Sequence, residues 1–204
     1  RRFVRDVDIA TEAAAVMKQI DGAGSRFTLT PGKPVTIALA VASRFQTDDY
    51  LALAQDTAQR LDVSSLAELR AKHAAWWAHY WEKSYVDIGD GPISRHYYRS
   101  LYVLGACSRD PIFPPGLFGS WITTDRPAWS GDYHLNYNYV APFYGLYSAN
   151  RLLQADPEDR PLLDFIPRGR WYAEHVTKTR GVLYPVGIGP LGIETTRNAE
   201  PYRR

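Results

Sequence analysis

The apolar pattern of this chain changes period near Ser43, and neither an all-β nor an all-α fold accommodates that change. Upstream, Val35, Ile37, Leu39 and Val41 alternate with small or polar residues. A period of two over a β-branched run is the signature of a strand. Phe27 and Leu29 alternate with Thr28 and Thr30 ahead of Pro31-Gly32-Lys33-Pro34, which supplies turn chemistry, so a β-hairpin is expected over 27–43. Before it, Val7 and Ile9 suit a strand, while Thr11 to Ile20 would also pass for a helix. Strands are the expected reading of 1–25, because a lone hairpin cannot bury its apolar face.

Downstream the spacing is helical. Asp48 and Asp49 suit the positive end of a helix, and Leu51, Ala54, Ala58 and Leu61 follow on one stripe. Ser65 and Glu68 have the spacing of a capping box and predict a second helix over 66–82. Its stripe is Leu66, Leu69, His73, Trp76 and Tyr80, with Trp77 and Trp81 alongside; His73 reads as a structural residue. A third helix is expected from Ser94 to Arg109, then two more near 138–153 and 161–179, where Pro142 and Pro167 invite kinks or later starts. Between them, residues 110–135 carry Asp110-Pro111, Pro114-Pro115-Gly116, Gly119 and Gly131, which break any regular element. A loop that long inside a compact domain is usually functional. Residues 181–204 read as Gly- and Pro-rich loop with one short hairpin.

Composition excludes several classes. Apolar residues make up 45% and charged residues 23%, which is a globular balance. The net charge of +2 comes from scattered Lys and Arg, so nucleic acid is not an expected partner. No apolar run approaches the ~18 residues of a membrane helix, so no membrane partner is expected either. Cys107 is the single cysteine and sits among Leu101, Leu104 and Ala106, which reads as a packing position without a disulfide. Neither metal-ligand spacing nor a Gly-rich phosphate loop occurs, so no cofactor is expected. The aromatic count is high, with six Trp, fourteen Tyr and seven Phe, concentrated between Trp76 and Tyr147. Flat amphipathic rings suit the C–H faces of sugars, and equally suit a large helical core.

The candidate site lies in Pro115-Gly116-Leu117-Phe118-Gly119-Ser120-Trp121 and in Trp129-Ser130-Gly131-Asp132-Tyr133-His134-Leu135-Asn136-Tyr137-Asn138. Asn136 and Asn138 are two apart, so on an extended stretch they face one side. Two primary amides there would orient a water or grip sugar hydroxyls; the competing reading is that they cap the next helix. Asp132 and His134 would form a local pair that stiffens the loop, or contact a sugar. Trp121 and Trp129 read as walls of a pocket.

These two motifs, P-x-L-x-G-x-W and W-x-x-D-x-H-x-N-x-N, resemble the catalytic domain of glycoside hydrolase family 95, the inverting α-L-fucosidases and their relatives. The helix around His73, ending in Val86-Asp87-Ile88-Gly89, is similar to that family's linker, and the Tyr98–Arg109 helix to its first barrel helix. The 27–43 hairpin is similar to the close of its N-terminal β-sandwich. The resemblance implies a multidomain β + α chain: the end of a β-sandwich over 1–46, a helical linker over 47–83, and the first part of an (α/α)6 catalytic barrel over 84–204. It implies that Asn136 and Asn138 position the attacking water, assisted by a later Asp, with a later Glu as general acid. Nothing around Glu194 matches that acid. Both carboxylates, and the remainder of the barrel as a partner, are expected beyond residue 204, since the chain opens on Arg1 and stops at Arg204.

The substrate implied is an oligosaccharide or polysaccharide, and a secreted or periplasmic protein is expected. Two departures bear on which sugar. Phe118 stands where the family usually has Gln, and Ala141-Pro142-Phe143-Tyr144 stands where it has Met-Asn-Tyr-Trp. The architecture is therefore implied more firmly than fucose specificity. A sugar phosphorylase of the same fold and a carbohydrate-binding protein without catalysis are the alternatives.

Overall fold

Strand β1 (Ala13–Gln19) pairs antiparallel with strand β2 (Ile37–Ser43), with Met17 opposite Leu39 and Val16 opposite Ala40. This is a computed structural model, and it describes residues 12–22, 24, 26, 28–124 and 127–195. The strand expected before residue 25 is present in its described part; Val7, Ile9 and Phe27, and the Arg203-Arg204 end, lie outside the described residues.

Among the described residues the expected 27–43 hairpin is not formed. Around Pro31-Gly32 only an isolated bridge joins Thr30 to Lys33, and β2 takes its partner from 13–19. The apolar alternation in β2 is also turned over. Ala38, Ala40 and Ala42 are buried, while Ile37, Leu39 and Val41 are exposed, as is Met17 opposite them. The reason is the helix α1 (Tyr50–Gln59), which packs on both strands through the buried Ala54 and Ala58. A helix lying that close leaves room only for methyl groups, so the small residues of β2 face it. Lys18, on the same face as the alanines, donates to the carbonyls of Gln59 (3.0 Å) and Leu61 (2.7 Å) at the end of α1. A cation there satisfies carbonyls that have no partner within the helix. At the other end Asp49 caps the helix through the Ala52 amide.

The next helix, α2 (Val63–Glu82), starts two residues before the predicted box at Ser65. Asp62 Oδ1 accepts from the Ser65 amide, and Ser65 Oγ accepts from the Asp62 amide, both at 2.7 Å. The reciprocal cap is therefore Asp62–Ser65 rather than Ser65–Glu68, and Glu68 pairs with Lys72 one turn on. Of the predicted stripe only Tyr80 is buried; Leu69 and His73 are exposed.

Residues 12–79 fall in one compact unit and residues 80–195 in another. The second opens with α3 (Gly91–Cys107), capped by Asp90 Oδ1 on the Ile93 amide, with Pro92 in its first turn. The expected irregular region follows, and then α4 (Tyr137–Ser148), the single turn α5 (Leu152–Ala155), and α6 (Arg160–Tyr172) with a wider turn over Ala173–Thr177. Pro142 and Pro167 stay inside α4 and α6. The unit's buried side chains include Tyr80, Leu101, Tyr139, Phe143, Leu146 and Phe165. Buried hydroxyls are satisfied by carbonyls: Tyr80 donates to Leu101, Tyr139 to Glu158 and Ser108 to Gln154, at 2.6–2.7 Å. Cys107, expected to be buried, is half-buried at the end of α3, and desolvation raises its thiol pKa. It lines a cavity of about 550 Å³ with Leu104, Pro115, Gly119 and Pro142.

Candidate active site

The site is built on the irregular segment between α3 and α4. Asp110 Oδ1 accepts from the Ile112 amide at 2.8 Å and turns the chain out of α3. Gly116 and Gly119 then close a tight turn, with Gly119 at a φ of 59°. A side chain at Gly119 would run into the Trp121 ring, which lies over it; Trp121 is 53% exposed. A short 3₁₀ turn, Ala128–Gly131, leads into strand β3 (Tyr133–His134). Tyr133 anchors that strand: it is buried, its hydroxyl donates to the Pro114 carbonyl at 2.9 Å, and burial pushes its pKa well up.

Strand β3 pairs antiparallel with β4 (Gly187–Ile188), His134 opposite Gly187. Beyond β4 the chain folds back through a 3₁₀ turn at Pro190–Gly192, and Ile188 bridges to Glu194. This is the short hairpin expected after residue 181. It delivers Thr195 and Gly187 to Asp132, which no local feature of the sequence signals. Thr195 Oγ1 donates to Asp132 Oδ2 at 3.2 Å. Gly187 leaves the space Asp132 needs, since a Cβ there would overlap Oδ2.

Three of the predicted residues come together. Asp132 Oδ1 lies 3.4 Å from His134 Nδ1, and the Trp129 ring stacks on the His134 imidazole at 4.6 Å and 18°. Trp129 adopts a φ of 52°, uncommon for a residue with a side chain, and remains 53% exposed. Trp121 packs on Gly119 instead. Neither Trp lines the cavity beside Cys107.

Asn136 and Asn138 are not on an extended stretch facing one side. Asn136 is the N-cap of α4, its amide oxygen accepting from the Asn138 backbone N–H at 3.1 Å, and Asn138 sits in the first turn. Asn favours this position because its short side chain satisfies an amide that the helix cannot. Asn136 is exposed and Asn138 half-buried, so both amides border solvent where β3 passes into α4. The backbone N–H of Asn136 donates to the His134 carbonyl at 2.8 Å, which ties the pair to the Asp132–His134–Trp129 cluster. The ensemble is an aromatic face, an imidazole and two side-chain amides bordering solvent, and this is hydrogen-bonding chemistry suited to a neutral polyhydroxyl ligand.

The family model for the glycosyl hydrolase family 95 catalytic domain matches residues 49–198, well over half of the chain and the whole of this cluster. The chain belongs to glycosyl hydrolase family 95. Its ligand is accordingly carbohydrate and its chemistry glycosidic. No curated protein and no solved structure matches.

Within this family 95 domain two carboxylates stand close to the site's elements. Glu194 accepts a hydrogen bond from Tyr172, whose hydroxyl is pushed up to about 12, first by burial and then by Glu194. Glu158 accepts from Tyr147 at 3.0 Å, and burial raises its carboxyl pKa. Of the family positions where this chain departs, Phe143 is buried in the core and Tyr144 is exposed, while Ala141 and Pro142 line the 550 Å³ cavity. Among the described residues no group of His, Cys, Asp and Glu is arranged to hold a metal ion, and no helix is long and apolar enough to cross a membrane.

Proposed function

We propose that this domain hydrolyses a terminal glycosidic bond of an oligosaccharide or polysaccharide with inversion, the attacking water being held by Asn136 and Asn138. The carrying observation is the family 95 match running through both motifs and the helix start on which the two amides sit. An inverting glycosidase needs a water between the sugar and its base, with its carboxyl groups ~6.5–9.5 Å apart. An amide does not accept that proton at neutral pH. It can fix the water in line while a carboxylate takes the proton, which gives two neutral Asn a reason to stand at the attack position. On this reading α3 to α6 open an (α/α)6 barrel, the β1–β2 ribbon closes a β-sandwich, and the substrate is of the α-L-fucoside type.

The test is proton NMR of the first sugar released from an aryl α-L-fucoside. The expected product has the anomeric configuration opposite to the substrate's, and its release does not depend on phosphate. Initial retention would remove the water-holding role of the Asn pair. Phosphate-dependent release would favour a phosphorylase instead. Asn138→Ala should lower kcat by roughly 10²–10⁴-fold, the usual contribution of positioned acid–base chemistry, and leave folding intact.

A further inference from the structure

Asp132 and His134 are separated by one residue at the entry to β3, so their side chains fall on the same face. The Asp132 side chain is 7% exposed and that of His134 17%. A carboxylate so deeply buried needs partners for both oxygens. Oδ2 has one, the Thr195 hydroxyl. Oδ1 has no hydrogen-bond partner among the described residues, and neither does His134 Nδ1; both atoms are buried, and they lie 3.4 Å apart. An imidazole N–H and a carboxylate oxygen complement each other, and the gap is only slightly beyond the 2.7–3.2 Å of a well-formed bond. Hydrogen bonds at catalytic sites often tighten when substrate arrives. Three neighbours keep the two groups facing. Trp129 stacks on the imidazole and opposes its rotation, Thr195 holds the carboxylate from behind, and Gly187 leaves it room. With Nδ1 turned toward Asp132, Nε2 is the ring nitrogen left for a ligand.

We propose that Asp132 is a positioning residue that never touches the substrate. Its Oδ1 accepts a hydrogen bond from the Nδ1–H of His134 and so fixes the tautomer whose lone pair is on Nε2, and Nε2 accepts a hydrogen bond from a hydroxyl of the sugar. The identity of the ligand rests on the family 95 hydrolase reading; the Asp132–His134 pairing does not. A carboxylate behind an imidazole commonly sets which ring nitrogen carries the proton, and replacing it by an amide gives the wrong tautomer with the geometry preserved.

The experiment compares the whole wild-type protein that carries this chain with its Asp132→Asn variant, using ¹⁵N-labelled protein and NMR of the His134 ring nitrogens at alkaline pH, alongside steady-state kinetics on the aryl glycoside. In the wild type, Nδ1 should carry the proton. In Asp132→Asn the amide turns its N–H₂ toward Nδ1, and the proton should move to Nε2. kcat/KM should then fall by about 10–100-fold, as expected when one buried hydrogen bond to the substrate is lost, with an unaltered urea midpoint. Gly187→Ala, which retains the carboxylate but displaces it, should lower kcat/KM in the same direction, and it keeps the question decidable if Asp132→Asn folds poorly. The same tautomer in wild type and Asp132→Asn would overturn the proposal, and so would a switched tautomer with unchanged kcat/KM. A wild-type protein that cleaves no glycoside would refute the hydrolase reading, while the ring-nitrogen spectra would still decide the pairing.

Discussion

The two compact units solve burial in opposite ways. In residues 12–79 the contact between ribbon and helix is made by alanines, Ala38, Ala40 and Ala42 against Ala54 and Ala58, while Met17, Leu39 and Val41 stay outside. In residues 80–195 the interior is aromatic, with Tyr80, Tyr139, Phe143 and Phe165 buried and tyrosine hydroxyls anchored on carbonyls. Small side chains allow close approach but bury little area. Large rings bury 150–250 Å² each and lock their neighbours through a polar tip. The site belongs to the second kind of packing: Tyr133 anchors β3 and Tyr139 anchors the start of α4, on either side of the Asn pair.

That contrast can be broken by mutation, followed as urea unfolding by circular dichroism. The largest effect is expected from Phe143→Ala, which empties an aromatic position of the second unit and should cost about 3–5 kcal/mol. A loss under about 1 kcal/mol would mean that Phe143 is not the packing centre its burial indicates. Ala54→Leu inverts the test in the first unit. Overpacking there should cost roughly 1–3 kcal/mol, whereas an unchanged midpoint would mean that α1 does not sit tightly on the alanine face. Asn136→Ala removes the cap of α4 and should cost about 0.5–2 kcal/mol. Asn136→Asp keeps a capping oxygen, so it should retain stability while losing the amide that the proposed water needs; equal stability loss in the two variants would contradict the cap. The smallest effect belongs to Leu39→Thr. At 65% exposure, Leu39 should shift stability by no more than about 0.5 kcal/mol, and a larger cost would show that the outer face of the ribbon is covered in solution.

Much of this is legible in the sequence alone. The change of period at Ser43 separates ribbon from helices, Asp49 starts α1, and the breakers of 110–135 keep helices out of the described part of that segment apart from one 3₁₀ turn. The nearness of Asp132 and His134, 3.4 Å between Oδ1 and Nδ1, follows from their standing two positions apart in extended backbone. The motifs themselves carried the family, and the family carried the chemistry. These are signals whose cause lies within a few residues or a single turn.

What the sequence left open has non-local causes. Strand β2 carries apolar side chains on both faces, large on one and methyl-sized on the other, and α1 lying against the small face decided which goes inside. The strand pairs with 13–19 rather than 27–30, a choice between distant segments that turn residues at 31–34 do not settle. Asn136 and Asn138 were two residues apart on any reading; the start of α4 between them made one a cap and placed the other in the first turn. Thr195 and Gly187 reach Asp132 only because β4 pairs with β3. A buried carboxylate must find its partners wherever the fold brings them, and no local pattern around Asp132 names residues so far along the chain.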